Sequence, residues 1–505
     1  MLLTQRYKGR IRGKLSCPDR VLITGTLVEF GHAEAATRHL KRRNIRIFDF
    51  AEFAKSQRDA IRSNAERLAK EGGIEIEYLR SPKIDKEEHV QKILARRGRH
   101  PGLVCILSVM ETCTSYEPWH DKQTHATYLK PDTGKCVHYY FYFIDKVLGL
   151  CHLRVPTWAP YRLQFYFNGH EWLAARMRKH RIRFKQVDNT FVEISSWERA
   201  QALADRFRVK TLHRRLDYYA RQFCPFLEKE FELGYHWSLM QVEYATDIVF
   251  RRKQDLAPLY EKLVRTSIHA VKAEQVATFL GRRLDPRYAG EIGNHFHTRI
   301  EGTCIRHHMG PVCLKMYDKY GLVLRIETVA NDVSFFKHRR KVEHRDGSWG
   351  IKVAPLRKRI YSLPILCELM RASNRRYLDF LSGLDDDSPG VAALDKVTRP
   401  VRSGDRTYRG FNLTHADDLH LCRTLARGEF HISGFRGRDL RRHLPGYSGS
   451  QMSRVLKRLR THGVIKKIGR TYKYYLTAFG RRVVATALKL REFVMIPTLA
   501  NAAAT

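Results

Sequence analysis

The sequence predicts a multidomain protein of the α/β and α+β classes. It has an N-terminal α/β layer, a central antiparallel β-meander with helices, and a C-terminal module of short helices and a hairpin. Three observations predict it. Strand-like and helix-like runs alternate over 1–112. Two turn signals, MGP and YDKYG, divide 298–331 into three runs of alternating character. Near the C-terminus a helix with an i, i+3, i+4, i+7 apolar stripe precedes a glycine-turned hairpin. The chain has 505 residues, 43% of them hydrophobic, enough for three or four domains with sizeable cores.

Charge narrows the function. Lys plus Arg total 92 against 52 Asp plus Glu, a net charge of +40. Such a field concentrates polyanions. DNA or RNA is the first partner expected, and a membrane surface is the second. No apolar run approaches the ~20 residues that span a bilayer. The start, MLLTQRYKGRIRGK, lacks a signal peptide's apolar core. The expectation is a cytoplasmic protein with no membrane partner. Ten cysteines without a CxxC pair read as core residues rather than disulfides. Cys113, His120, His125, Cys136 and His138 could supply mixed zinc ligands, but their spacing fits no familiar finger.

In 1–112, strands are predicted at 20–26, 46–50, 74–79 and 103–110, with helices at 33–43, 51–71 and 86–97. This alternation predicts a mostly parallel sheet. The first turn, TGT, carries neither GxGxxG nor GxxxxGK[ST], so no nucleotide site is assigned. Asp19 precedes the first strand. It is a candidate metal carboxylate, but a turn cap is the favoured reading.

The stretch 113–195 reads as an α+β unit rich in aromatics. A Pro/His/Asp/Thr-rich connection leads to the strands VHYYFYFID, LCHLRVPTW and YRLQFYF, then a helix to about 180 and a strand over 183–194. Its aromatic faces, beside Arg154 and Arg162, suit base stacking, though alternate rings must fill the core.

The stretch 196–384 holds a helical segment and the meander. Helices are expected at 195–207, 210–232, 237–251, 255–270 and 273–283. Within HWSLMQVEYATDIVF, Glu243 and Asp247 would share a helical face. They could hold a divalent metal, but pairing with Arg251, Arg252 or Lys253 is favoured.

In the meander, Val312, Leu314 and Met316 oppose Lys315 and Tyr317. Leu322, Leu324 and Ile326 oppose Arg325 and Glu327. Arg299, Glu301, Thr303 and His307 are expected to join the polar face. His295-Phe296-His297 places two imidazoles on one face of a strand, ready for one metal ion. SFFKHRRKVEHRDG, which follows, is strongly basic and turns at Asp346-Gly347.

A Gly/Ser/Pro/Asp-rich linker is placed at 385–410. In 411–505, helix, strand, helix, helix and hairpin follow in order. Met452, Val455, Leu456 and Leu459 form the buried stripe. From 396 to 505 there are 23 Lys plus Arg and 6 Asp plus Glu. The pattern resembles the winged-helix family. The resemblance implies a nucleic-acid-binding domain whose helix 448–461 enters a major groove. Ser450, Gln451, Arg454, Lys457 and Arg458 would meet bases and phosphates, and Lys466, Lys467, Arg470 and Lys473 the backbone.

RIEGTCIRHHMG, KMYDKYG, VLRIET and YHWSLMQVEYATDIVF together resemble a widespread prokaryotic family of uncharacterised proteins with a C-terminal winged-helix domain. That resemblance implies no activity. Tyr317–Lys319 followed by Arg325–Glu327 is also similar to plasmid rolling-circle replication initiators, which implies a mobile-element or replication context. Two readings follow. In the first, the chain is a metal-dependent nuclease or strand transferase. Tyr317 is the nucleophile, and His295, His297, Glu301 and Glu327 hold Mg²⁺ or Mn²⁺. In the second, it is a non-enzymatic winged-helix regulator or RNA-binding scaffold.

Overall fold

A computed structural model describes residues 2–81, 84–225, 227–284, 288, 290–299, 302–385 and 388–502. The chain forms two compact units, Met1–Asp385 and Asp386–Thr505. The first is built on an eleven-stranded sheet. Its early strands are β1 (Ile11–Leu27), β2 (Ile76–Leu79), β3 (Gly102–His120), β4 (Thr127–Asp145), β5 (Gly149–Pro156) and β6 (Leu163–Asn168). A separate hairpin, β7 (Phe184–Val187) and β8 (Thr190–Ile194), follows. The sheet resumes with β9 (Tyr235–Phe250), β10 (Ile292–Arg299), β11 (Gly302–Met309), β12 (Val312–Lys319) and β13 (Val323–Ala330). A second separate hairpin is β14 (Lys337–Glu343) and β15 (Trp349–Pro355).

The strand order is β10-β11-β12-β13-β9-β1-β6-β5-β4-β3-β2. Only β2 and β3 pair in parallel, so the expected mostly parallel sheet is corrected to an antiparallel one. The cause lies in 111–135. Its prolines and histidines read as a connection, yet its period-2 alternation continues, and the two arms pair from Glu111↔Cys136 out to His120↔Thr127. The sheet draws strands from 1–112, 113–195 and 196–384, so these three stretches share one core. The expected strand at 46–50 is a short 3₁₀ turn, Ile47–Asp49, entering the helix Phe50–Gly72.

The wiring occurs twice. β1 leads through helices to β3–β6, and β6 returns to pair with β1. β9 leads through the helices Lys253–Ala270 and Ala273–Phe279 to β10–β13, and β13 returns to pair with β9. The two opening strands pair antiparallel at the centre, with Pro18 opposite Tyr244. An approximate two-fold axis therefore passes between β1 and β9.

HWSLMQVEYATDIVF, expected as a helix, is most of β9. Val242, Tyr244, Ile248 and Phe250 alternate at period 2, but Ala245 and Val249 bury the other face too. A strand apolar on both faces loses the alternation that distinguishes it from a helix. The helix Leu363–Asp385 packs beneath. Its Asn374 amide donates to the Tyr244 and Ile326 carbonyls and accepts from Thr328, which ties β9 to β13.

In the second unit the proposed linker, 385–410, is structured. It carries the helix Ser388–Thr398 and a small hairpin, Val401–Ser403 with Arg406–Tyr408. Ser388, Gly390 and Asp395 lie within that helix, and Gly404 and Asp405 turn the hairpin. Helices Ala416–Leu425, Gly428–Ser433, Gly437–His443 and Gly449–Thr461 follow. Then come a hairpin, Ile465–Lys467 with Tyr474–Leu476, and the helix Ala478–Lys489. Leu419, Leu425, Leu440, Leu456, Leu459 and Leu476 build their core. Among the described residues no helix is long and apolar enough to cross a membrane.

Candidate active site

The sheet's centre gathers acids from three strands. β1 carries a bulge between Pro18 and Val21, where Pro18 offers no N–H to the ladder. The bulge turns Asp19 inward, and the side chain is buried. The helix Gly169–Lys179 is seated against it, and a Cβ at Gly169 would lie 2.0 Å from the Pro18 carbonyl oxygen. That close approach requires glycine. Asn168 caps this helix, accepting from the His170 N–H at 2.8 Å, and its amide donates to Asp19 at 2.8 Å.

Glu243 and Asp247 come from β9, and Arg325 and Glu327 from β13. The pairs Asp247↔Arg325 and Ala245↔Glu327 place them on one face. Lys315 and Tyr317 of β12 join that face opposite Glu327 and Arg325. Ligand atoms of Asp19, Glu243 and Glu327 all lie within 4.8 Å of one another.

Charge in this core is almost balanced. Arg325 is fully buried. It grips Asp247 at 2.6 and 2.7 Å, donates to Asp19 at 3.1 Å, and donates to the Asn189 carbonyl at 2.6 Å. His170 donates to Asp19 at 3.1 Å. Burial alone would lower its imidazole, but Cys17 and Asp19 raise it to about 10, while its Nε2 lies 3.3 Å from an Arg325 guanidinium nitrogen. Burial would raise Asp19 and Asp247, yet His170 and Arg325 hold Asp19, and chiefly Arg325 holds Asp247, below the usual carboxylate range. Lys315 lies 3.1 Å from Glu327 and 3.9 Å from Glu243. Burial opposes its charge, and these two carboxylates outweigh it and raise the ammonium.

Glu327 is the exception. One oxygen meets Lys315 and the Tyr317 hydroxyl, at 3.1 and 3.3 Å. The other, Oε1, is buried with no hydrogen-bond partner. Burial, reinforced by Asp19 and Glu243, raises this carboxyl to about 7 against Lys315 and Arg325. A buried polar atom without a partner costs about 1–3 kcal/mol. Asp19, by contrast, accepts from four donors: Asn168, His170, Asn189 and Arg325. These fill its lone pairs.

A cleft of ≈ 460 Å³ reaches Asp19 and Glu243 at the edge of the cluster, while Glu327 lies buried behind its lining. Asp19, Glu243, Asn168 and Asn189 contribute to it, with Arg20, Arg99, Tyr142 and Tyr166 in its walls. The Arg20 guanidinium lies over the Tyr166 ring at 5.4 Å.

Several sequence expectations change here. Glu243 and Asp247 do share a face, but that of a strand, because positions four apart coincide at period 2 as they do on a helix. Asp19 is no turn cap. It lies inside β1, as the ninth residue of a strand that begins earlier than expected, at Ile11. Tyr317 adjoins Glu327, but burial and that carboxylate push its phenol well above its ordinary value, the opposite of what a phenolate nucleophile needs.

His295 lies in the same cross-sheet row as Arg306, Lys315 and Glu327, so three strand spacings, about 14 Å, separate it from Glu327. It is exposed and stacks on His308 at 4.5 Å. The His297 side chain and Glu301 lie outside the described residues. His307 faces the apolar side, accepting or donating to Asn294 and Tyr377, because the expected first strand is two strands and the polar register falls on Arg306 and His308. The cysteine–histidine cluster converges only in part: Cys113 and Cys136 share a side-chain hydrogen bond and Cys136 Sγ lies 3.8 Å from His138 Nδ1, but His120 pairs at the far end of the β3–β4 hairpin, seven residues and about 23 Å along the strand from Cys113. The sequence placed Lys315 and Arg325 on the polar face without giving them a role, and it missed His170, Asn168 and Asn189. The signal available was a carboxylate opposite each strand cation, Glu327 beside Lys315 and Asp247 beside Arg325 on the neighbouring strand, which only the register reveals.

In the second unit, Ser448 and Gln451 form a capping box that starts the helix Gly449–Thr461. Ser450, Gln451, Ser453, Arg454 and Arg460 are exposed, as are Lys466, Arg470 and Tyr472 of the hairpin. Lys457, Lys467 and Lys473 are half-buried. Arg458 is corrected from a nucleic-acid contact to a core residue. It pairs with both Asp418 oxygens at 2.8 and 2.9 Å, donates to the Arg409 and Gly410 carbonyls, and lies 3.8 Å over Phe411.

Comparison with family models, with curated proteins and with solved structures gives no match.

Proposed function

We propose that this chain is a nucleic-acid-processing protein that breaks phosphodiester bonds with a divalent cation, Mg²⁺ or Mn²⁺, at Asp19, Glu243 and Glu327. The observation that carries the reading is the partnerless Oε1 of buried Glu327 within a ring of three carboxylates. With Glu327 ionised, four acids face Arg325, His170 and Lys315, so one further positive charge suits the site. Hard divalent cations take oxygen ligands of this kind. Direct bonding to Asp19 would displace one of its amide donors, Asn168 or Asn189. The bound cation would lower the pKa of a water and neutralise charge on the phosphoryl group. Lys315 would stabilise the phosphoryl oxygens from beside Glu327. Tyr317 acts as a positioning residue for Glu327.

The second unit, in this reading, is a winged-helix domain that holds DNA or RNA through Ser450, Gln451, Arg454, Lys457, Lys466, Lys467, Arg470 and Lys473. Its charge and its exposed basic positions support that role. A mobile-element or replication setting follows only from the local resemblance to rolling-circle initiators.

The test is cutting of labelled single-stranded and duplex DNA and RNA with Mn²⁺ or Mg²⁺. Cutting should vanish in Glu327→Gln and Asp19→Asn and persist in Tyr317→Phe. Loss in Tyr317→Phe alone would restore the covalent mechanism. The second reading, a non-enzymatic regulator, is favoured by the saturation of Asp19. It would stand if no substrate is cut and no Mn²⁺ binds, while nucleic acid is still held.

A further inference from the structure

The β14–β15 hairpin pairs with itself and with no strand of the large sheet. Its register is Lys337↔Pro355, Arg339↔Val353, Lys341↔Ile351 and Glu343↔Trp349. Directly opposed residues share a face. One face thus carries three cations, Lys337, Arg339 and Lys341, with Glu343 at the tip end of the same row, beside an apolar row, Trp349, Ile351 and Val353. All seven are exposed, and Ile351 and Val353 are 70% and 66% accessible. Among the described residues no carboxylate forms an ion pair with any of the three cations, and Lys341 lies 5.1 Å over the Trp349 ring. The opposite face is less open, with Ala354 buried at the root. The root is fixed by the Leu356 N–H donating to the Phe336 carbonyl at 2.8 Å. The tip is fixed by Ser348 donating to Asp346, with Gly347 at φ 79°.

Among the described residues no other strand pairs with this ribbon, which exposes both a cation row and an apolar row. We infer that this hairpin is a nucleic-acid-binding arm whose Lys337/Arg339/Lys341 face lies in a groove of duplex DNA. Charge complementarity selects the partner. From 337 to 355 there are six Lys or Arg and two Asp or Glu. Size agrees, since a major groove admits a two-stranded β-ribbon. Seven residues per strand give about 23 Å of reach. The cations then meet phosphates, and Trp349, Ile351 and Val353 meet base edges and thymine methyls. The inference shares only its polyanionic partner with the reading above, and it needs neither the carboxylate cluster nor cutting.

The test uses the full chain, with Ca²⁺ in place of Mg²⁺, and fluorescence anisotropy on a labelled duplex across a salt series. The triple variant Lys337→Ala/Arg339→Ala/Lys341→Ala should weaken binding at least tenfold. It should also flatten the slope of log affinity against log salt by about 2–3, near 0.9 per lost phosphate contact. Trp349→Ala/Ile351→Ala should weaken binding several-fold and leave that slope unchanged. Arg454→Ala/Lys466→Ala in the second unit serves as the comparison. If it lowers affinity while both hairpin variants bind as the parent does, the inference is overturned and the winged-helix reading survives. Loss of binding to anionic phosphatidylserine vesicles in the hairpin variants, with duplex affinity unchanged, overturns it in favour of a membrane surface.

Discussion

Glu327 gives the sharpest prediction, because its carboxyl titrates at about 7. A cation can bind only the ionised form. With that value the carboxyl is about 0.9 protonated at pH 6 and about 0.1 at pH 8, so Mn²⁺ affinity should rise about tenfold over the interval. Calorimetric titration in two buffers of different ionisation enthalpy reads the protons released. About 0.9 should leave per Mn²⁺ at pH 6, half at pH 7 and 0.1 at pH 8. Glu327→Gln should abolish the pH dependence. Stability moves with it. The folded value lies above the ordinary one, so this carboxyl's contribution is full below about pH 4.5 and is lost as pH rises through 7, by roughly 3 kcal/mol. Millimolar Mn²⁺ should therefore raise the melting temperature at pH 8 and leave it unmoved at pH 5. Mn²⁺ affinity equal at pH 6 and pH 8 would refute the assignment of Glu327 as a ligand.

Three further outcomes are expected. Arg325→Leu leaves Asp19 and Asp247 buried without their shared cation, and should cost about 3–5 kcal/mol in urea unfolding at pH 7. Lys315→Met removes the positive charge that restrains Glu327, so the midpoint of the Mn²⁺ pH dependence should move above 7. Arg458→Ala should destabilise the second unit in thermal melts by about 3 kcal/mol through its Asp418 pair, whereas Arg454→Ala, on an exposed position, should leave the melt unchanged and weaken DNA binding.

The helices were the most legible part of the sequence. The helix Lys86–Arg97 begins at an Asp85 cap and ends at Gly98, and both signals are local. The C-terminal helix Gly449–Thr461 announced itself by its stripe and its glycine. The polar face of β12 and β13 was also legible, since Lys315, Tyr317, Arg325 and Glu327 alternate with apolar neighbours. What lay hidden was everything set by pairing over long distances. Asp19 looks like a turn residue beside Pro18, and only the β1–β9 register makes it a neighbour of Glu243. Arg458 sits among exposed bases on its helix, and only Asp418, forty residues earlier, claims it for the core. His307 was misplaced because 298–309 was taken as one strand, whereas β10 ends at Arg299 and β11 begins at Gly302, which shifts the later side chains to the other face.

The repeated wiring has a consequence for how the molecule is made. β1 ends at Leu27, but its partner β9 begins only at Tyr235. At ribosomal speeds of about 5–20 residues per second, one edge of β1 waits roughly 10–40 s for that partner. Through this interval the first half presents an open hydrogen-bonding edge with Asp19 close to it, a template for the wrong strand. The carboxylates cannot assemble until both halves have left the ribosome, because Asp19 belongs to one and Glu243 and Glu327 to the other. A nascent chain is therefore chemically silent however much of its first half has folded, and whatever this centre does begins only when the seam closes.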